Sequence, residues 1–157
     1  MSVCTIFCCG GIMNEKYMLE ALKEAKKSYN KGDVPVGAII VYNNKIIARA
    51  HNLKEKSKNA TKHAEILAIN IACKKLKRWR LNDCELYVTM EPCMMCTGAI
   101  IQSRIKKVCY AIRNYDFGTL LNVANNKKYD ISVAEGAMAN ESLKLLQDFF
   151  KQKRNTE

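Results

Sequence analysis

The sequence predicts a three-layer α/β protein, a mostly parallel sheet with helices on both faces. Three observations predict it. Helix-like and strand-like segments alternate along the chain, and such elements bury their apolar faces only by stacking in layers. Two β-branched runs meet at Asn43-Asn44, and asparagine tolerates the positive φ of a tight hairpin, which sets one antiparallel pair. The later strand–helix–strand order favours parallel pairing. At 157 residues, 48% apolar and 26% charged, the chain suits one ordinary globular domain.

Residues 1–12 stand apart: they carry no charge and hold Cys4, Cys8 and Cys9. They read as a disordered leader or a start placed too far upstream, ahead of a single domain over 13–157. A helix over 13–30 follows, with Tyr17, Met18, Ala21, Leu22, Ala25 and Tyr29 at helical spacing and Gly32 as its stop. Strands are expected over 36–42 and 45–50, then a polar loop over 51–60. Thr61 is the expected N-cap of a helix over 62–76, whose Ala64, Leu67, Ala68, Ile71 and Ala72 form one stripe. A buried strand over 85–89 precedes Pro92, which suits the opening turn of a helix over 93–102. A strand over 107–112, a loop over 114–128 and a short strand over 131–134 follow. Asn140 is expected to cap a last helix with Leu143, Leu146 and Phe150 on one side.

Lys and Arg number 26 against 15 Asp and Glu, a formal charge of +11. Such a balance favours a polyanion partner, nucleic acid first and an acidic membrane second. The longest uncharged runs, 1–14 and 92–103, are shorter than the roughly 20 residues of a membrane helix, so no membrane partner is expected. The default address is the cytoplasm, where disulfides are rare. The eight cysteines therefore need another account. Cys73, Cys84 and Cys109 lie in patterned segments and read as small buried hydrophobes.

Cys93 and Cys96 read differently. Three apart at the start of a helix, they can present two thiolates to one ion, and His63, also at a helix start, adds a neutral nitrogen. Thiolate and imidazole suit zinc, and three protein ligands leave one tetrahedral position for catalysis. Two thiolates cancel the charge of the dication, so a bound water is acidified less than at an all-histidine site and needs a base. Glu65, two residues from His63, supplies it. An H-x-E motif followed by P-C-x-x-C is the general signature of zinc nucleobase deaminases, in which activated water attacks the amine-bearing carbon and ammonia leaves. The competing account is a structural zinc site completed by His51, Cys73, Cys84 or Cys109, in a non-catalytic RNA-binding module.

From about Met13 to Arg154 the sequence resembles the bacterial tRNA-specific adenosine deaminases, the TadA family, of the cytidine-deaminase-like superfamily. The resemblance rests on Asp33-Val34-Pro35-Val36-Gly37-Ala38, His51-Asn52, His63-Ala64-Glu65-Ile66, the run from Leu86 through Pro92-Cys93-Met94-Met95-Cys96, Gly98-Ala99-Ile100, Ser103-Arg104-Ile105 and Asp148-Phe149-Phe150. It implies a mixed five-stranded sheet, a homodimer and one Zn2+ per subunit held by His63, Cys93 and Cys96. It implies hydrolysis of a cyclic amidine C–N bond, with Glu65 as proton shuttle at C6 of a flipped adenine. The substrate implied is the wobble adenosine of a tRNA anticodon stem-loop, in an arginine tRNA. Asn52 would hydrogen-bond the purine, with Val34 and Pro35 as an apolar wall. Lys151, Lys153 and Arg154 would meet stem phosphates, and Lys74, Lys75, Lys77, Arg78 and Arg80 around Trp79 are a second basic cluster.

One stretch departs from the family, which usually reads close to A-R-D-x-K-x-G-A-x-G-S. Asn114 stands where an aspartate is usual, Asp116 where a lysine is, and the following turn is shorter. An amide at 114 loses an obligate acceptor for a ribose 2′-OH, which predicts weaker discrimination of RNA from DNA. A deaminase of free bases or nucleosides, guanine or cytosine, shares the zinc and Glu65 but has no use for the surplus positive charge.

Overall fold

The computed structural model describes residues 11–157. The expected leader lies outside the described residues except for Gly11 and Ile12, which already belong to the first helix. That helix, α1 (Gly11–Asn30), buries Tyr17, Met18, Ala21, Leu22 and Ala25 and gives way at Gly32, φ 79°. β1 (Gly37–Tyr42) and β2 (Lys45–His51) follow as the expected hairpin. Asn43 and Asn44, at φ 48° and 59°, occupy the left-handed region that a two-residue hairpin turn requires.

The stretch expected as a loop over 51–60 holds a turn of helix, α2 (Lys54–Ser57). Its cause is remote in sequence. The fully buried carboxylate of Asp33 accepts hydrogen bonds from the Glu55 and Lys56 N–H groups at 2.6 and 2.9 Å. α3 (Ala64–Leu76) starts two residues later than expected, with His63 rather than Thr61 at the N-cap position. Thr61 instead bonds the Asn59 side chain through both its N–H and its hydroxyl. The buried stripe is Ala64, Glu65, Ala68, Ile69 and Ala72; Leu67 is half-buried and Ile71 faces solvent at 41% exposure.

β3 (Cys84–Met90), α4 (Met94–Gln102) and β4 (Lys107–Ile112) fall within a residue of expectation. Pro92 sits just outside α4, before its N-cap Cys93, rather than inside the first turn. A second unforeseen helical turn, α5 (Leu120–Ala124), interrupts the loop over 114–128, anchored by the fully buried Leu120. After β5 (Ser132–Glu135), α6 (Ala139–Thr156) begins behind Met138 at φ 57°, so Asn140 lies inside the helix and caps nothing. The face of α6 toward the protein carries Ser142 and Phe149, with Leu145 and Leu146 half-buried, whereas Leu143 and Phe150 are more than 40% exposed. Phe149 meets the Tyr29 ring of α1 at 6.0 Å.

The five-stranded sheet is mixed, in the order β2-β1-β3-β4-β5. β1 runs antiparallel to both β2 and β3, a second antiparallel pairing that the hairpin alone does not predict. β3, β4 and β5 are parallel, so four of the five strands share one direction. Side chains alternate between faces along each strand. Ala38, Ile40, Leu86, Val88, Val108 and Tyr110 pack beneath α3, α4 and α5. Ile39, Val41, Tyr87 and Cys109 pack beneath α1. Cys84 and Cys109 belong to these cores, and burial pushes their thiols up to about 11 and about 12, leaving them inert. Cys73 is half-buried, its thiol toward the Trp79 carbonyl.

Helix α1 and the sheet approach closely at Gly37, where an added Cβ would overlap the Ala21 carbonyl and lie 2.9 Å from the Glu24 Cβ. No rotamer relieves a clash with backbone. Gly37→Ala is therefore expected to cost about 1–3 kcal/mol, read as a lower urea midpoint at unchanged slope.

Candidate active site

Two helix N-termini meet at one end of the sheet, on the side of the C-terminal ends of β2 and β3. His63 is the N-cap of α3 and Cys93 the N-cap of α4, both with extended backbone, so each side chain projects off the end of its helix. Cys96 lies one turn into α4 and is fully buried. His63 Nδ1 lies 3.7 Å from Cys93 Sγ and 3.6 Å from Cys96 Sγ. A tetrahedral zinc with its usual Zn–N and Zn–S lengths sets N···S edges of ~3.6 Å. Among the described residues these three form the one such cluster, their ligand atoms within 4.8 Å of one another.

The electrostatics suit a cation. Helix N-termini carry partial positive charge and favour thiolates. Hydrogen bonds from Cys96 and His63 pull the Cys93 thiol down to about 3, while the bond to Cys93 and then burial push Cys96 up. The two sulfurs thus divide one proton, which a metal displaces. None of His51, Cys73, Cys84 and Cys109 joins the cluster. His51 instead bonds Glu24 at 3.2 Å and Lys31 at 3.1 Å.

Glu65 lies in the first turn of α3, 4% exposed, and its Oε2 has no hydrogen-bond partner. An orphaned buried carboxylate oxygen costs on the order of 1–3 kcal/mol or more, so a site that keeps one has a use for it. Burial raises the carboxyl above its ordinary value. The donor set and this orphan oxygen together fit a catalytic zinc with a proton-accepting neighbour.

His63, Glu65 and Cys93 line a cavity of about 180 Å3, together with Val34, Val36, Asn52, Lys54, Ala64, Met90, Glu91 and Asn114, whereas Cys96 is not part of the lining. Pro35 is buried but absent from that lining: the Val36 N–H donates to the Val34 carbonyl at 2.9 Å, a tight turn centred on Pro35, and Val34 and Val36 on either side of it line the cavity. Asn52 is fixed by the backbone: its amide nitrogen donates to the Val34 carbonyl at 3.1 Å and its oxygen accepts from the Lys54 N–H at 3.1 Å. One donor and one acceptor valence remain for a ligand. Asn114 spends its side-chain oxygen on the Phe117 N–H at 3.1 Å.

Sequence reasoning missed five contributors. Val36, Lys54, Ala64 and Met90 line the cavity. Glu91, 6% exposed, also holds the opposite loop, accepting from the Asn114 N–H at 3.3 Å and the Leu121 N–H at 3.2 Å. The one available signal for Glu91 was its place two residues before Cys93. Lys151, Lys153 and Arg154 are exposed on the last turns of α6, and none lines the cavity. In the other basic cluster Arg78 is paired with Asp83 at 2.7 Å, and Arg80 lies over the Trp79 ring at 4.7 Å.

The model of the MafB19-like deaminase family matches residues 12–154. The chain is 44% identical over 146 residues to the tRNA-specific adenosine deaminase of Bacillus subtilis, spanning 90% of this chain and 91% of that one. A solved structure concerned with A-to-I editing by tRNA:A34 deaminases at the wobble position superposes at a TM-score of 0.79, with 33% identity, over 83% of this chain and 99% of that one. The guanine deaminase of Bacillus subtilis superposes at 0.61, with 42% identity, over 65% and 66% of the two chains.

The geometry separates two roles that one metal assay can distinguish. Cys96→Ala is expected to abolish zinc retention after dialysis. Glu91→Ala is expected to keep zinc while losing about 1–3 kcal/mol of stability, with faster hydrogen exchange at the Asn114 and Leu121 amides.

Proposed function

The chain belongs to the tRNA-specific adenosine deaminase family, and from that premise we propose that it converts the wobble adenosine of a tRNA anticodon to inosine by zinc-dependent hydrolysis. The observation that carries the mechanism is the unpartnered, buried Glu65 oxygen beside the His63–Cys93–Cys96 cluster. His63, Cys93 and Cys96 would hold the ion. Zinc, when bound, supplies a Lewis acid that lowers the pKa of water, to about 7 in the most activated sites.

Glu65 accepts the proton of the attacking water and delivers it to the adenine ring nitrogen beside C6. Its raised affinity for a proton suits that return. The water oxygen bonds C6, the C6–amine bond breaks, and Glu65 carries the second proton to the departing ammonia. Asn52 offers its spare N–H and oxygen lone pair to the purine edge, and Val34 and Val36 supply the apolar wall. Lys54, at the same cavity, is suited to the target nucleotide's phosphate. Lys151, Lys153 and Arg154 would meet stem phosphates, in an arginine tRNA, with the enzyme acting as a cytoplasmic homodimer. Among the described residues no helix is long and apolar enough to cross a membrane.

The likeness to guanine deaminase favours a second reading, hydrolysis of a free base. A net charge of +11 supports the polyanionic substrate instead.

A panel of anticodon stem-loops and free nucleobases, assayed for inosine and ammonia, separates them. Inosine at the wobble position is expected, with a rate that falls steeply as salt rises; faster ammonia release from guanine would install the second reading. Glu65→Ala is expected to retain zinc and lose about 10²–10⁴-fold or more in turnover. With Asn114 in place of the family's aspartate, matched RNA and DNA hairpins are expected to differ less in rate than for a family member that has the acid; an undiminished preference for RNA would refute this.

A further inference from the structure

Three of the largest exposed apolar side chains lie together beside the cavity: Met94 at 76%, Tyr115 at 89% and Phe117 at 73% exposure. An antiparallel bridge joins Cys93 to Gly118, and Met94 and Phe117 are the next residues out along its two strands. Tyr115 follows Asn114, which lines the cavity. Neither ring contributes to a core cluster, so folding does not account for their apolar character.

The backbone that carries them is held firmly. Asn114 donates to Glu91, its side-chain and main-chain oxygens accept from Phe117 at 3.1 Å and Gly118 at 2.8 Å, and Thr119 donates to the Pro92 carbonyl at 3.1 Å. A Cβ at Gly118 would overlap the Asn114 carbonyl and lie 2.6 Å from a Glu91 oxygen, so glycine fixes the path. Rings displayed on a pre-ordered backbone lose little entropy when they are covered.

We propose that Tyr115 and Phe117 form a stacking platform for the unpaired bases that flank the target adenosine. This rests on the RNA-substrate reading above. A base seated in the cavity must leave its stack, and its neighbours are then splayed and need a surface. Aromatic faces accept any base and contribute through stacking rather than charge. Asp116, exposed between the two rings, would repel a phosphate, which turns the strand's bases rather than its backbone toward the loop. Lys54 at the neighbouring cavity offers the phosphate contact.

The test compares Kd values of the zinc-loaded enzyme for an intact anticodon-type hairpin and for hairpins with an abasic site on either side of the target, in a Glu65→Ala background. Tyr115→Ser and Phe117→Ser are each expected to weaken binding of the intact hairpin about tenfold. Their loss on the matching abasic hairpin is expected to vanish, the coupling that stacking requires. Tyr115→Phe should bind within about twofold of its parent, and the salt slope should not move, because no phosphate contact is removed. Unchanged Kd values, or equal losses on intact and abasic hairpins, overturn the platform. So does a serine variant that shifts sedimentation to a smaller species, which would make this face a contact between two copies of the chain. If the unmutated enzyme neither binds nor deaminates any stem-loop, the RNA reading fails first and takes the platform with it.

Discussion

The convergence of two helix N-termini on one small volume governs this molecule. His63 and Cys93 leave the ends of α3 and α4, and Cys96 follows one turn on, so three soft or borderline donors meet within 4.8 Å. The partial positive charge of both helix ends offsets the cost of holding sulfur as thiolate. The rest of the fold keeps those two ends together. β3 feeds α4, the sheet fixes β3 against β1, and the apolar stripe of α3 packs on the face that Ala38, Ile40 and Leu86 present.

Around that centre the walls of the cavity are loops, and two buried carboxylates discipline them. Asp33 seizes the Glu55 and Lys56 amides on one side, which sets the turn that carries Lys54. Glu91 seizes the Asn114 and Leu121 amides on the other. Each is a charge-assisted pair of hydrogen bonds, stronger than neutral ones and better preserved away from water. Neither carboxylate belongs to the metal cluster, and both decide the shape of the space in front of it. Glu65 contrasts with them: equally buried, it leaves an oxygen unsatisfied. Two satisfied acids build the cavity, and the chemistry proposed above falls to the unsatisfied one.

In the proposed reading, charge and apolar surface divide the outer recognition between them. The basic residues of α6 do not line the cavity and would meet stem phosphates, a contribution that falls with salt. The aromatic rings beside the mouth would act only on contact. A substrate long enough to reach both would be oriented by the first and seated by the second, a division that a free base cannot use.

The sequence by itself determined the alternation of layers, the Asn43-Asn44 hairpin and the set of residues proposed for the chemistry. Hydrophobic period, turn chemistry and the His63, Glu65, Cys93 and Cys96 spacing are local properties, written in neighbouring residues. Only the tertiary structure decided the rest. No local pattern states that β1 pairs with β3 as well as β2, because strand partners are chosen by packing across long stretches of chain. The caps assigned to Thr61 and Asn140 failed for the same reason: each residue has the right chemistry, but packing of α3 and α6 set where those helices begin. α2 and α5 depend on Asp33 and on the buried Leu120, the first of these far away in sequence. Pro35 is absent from the cavity that Val34 and Val36 line, because the chain turns tightly at Pro35, with the Val36 N–H bonded to the Val34 carbonyl, before it enters the sheet.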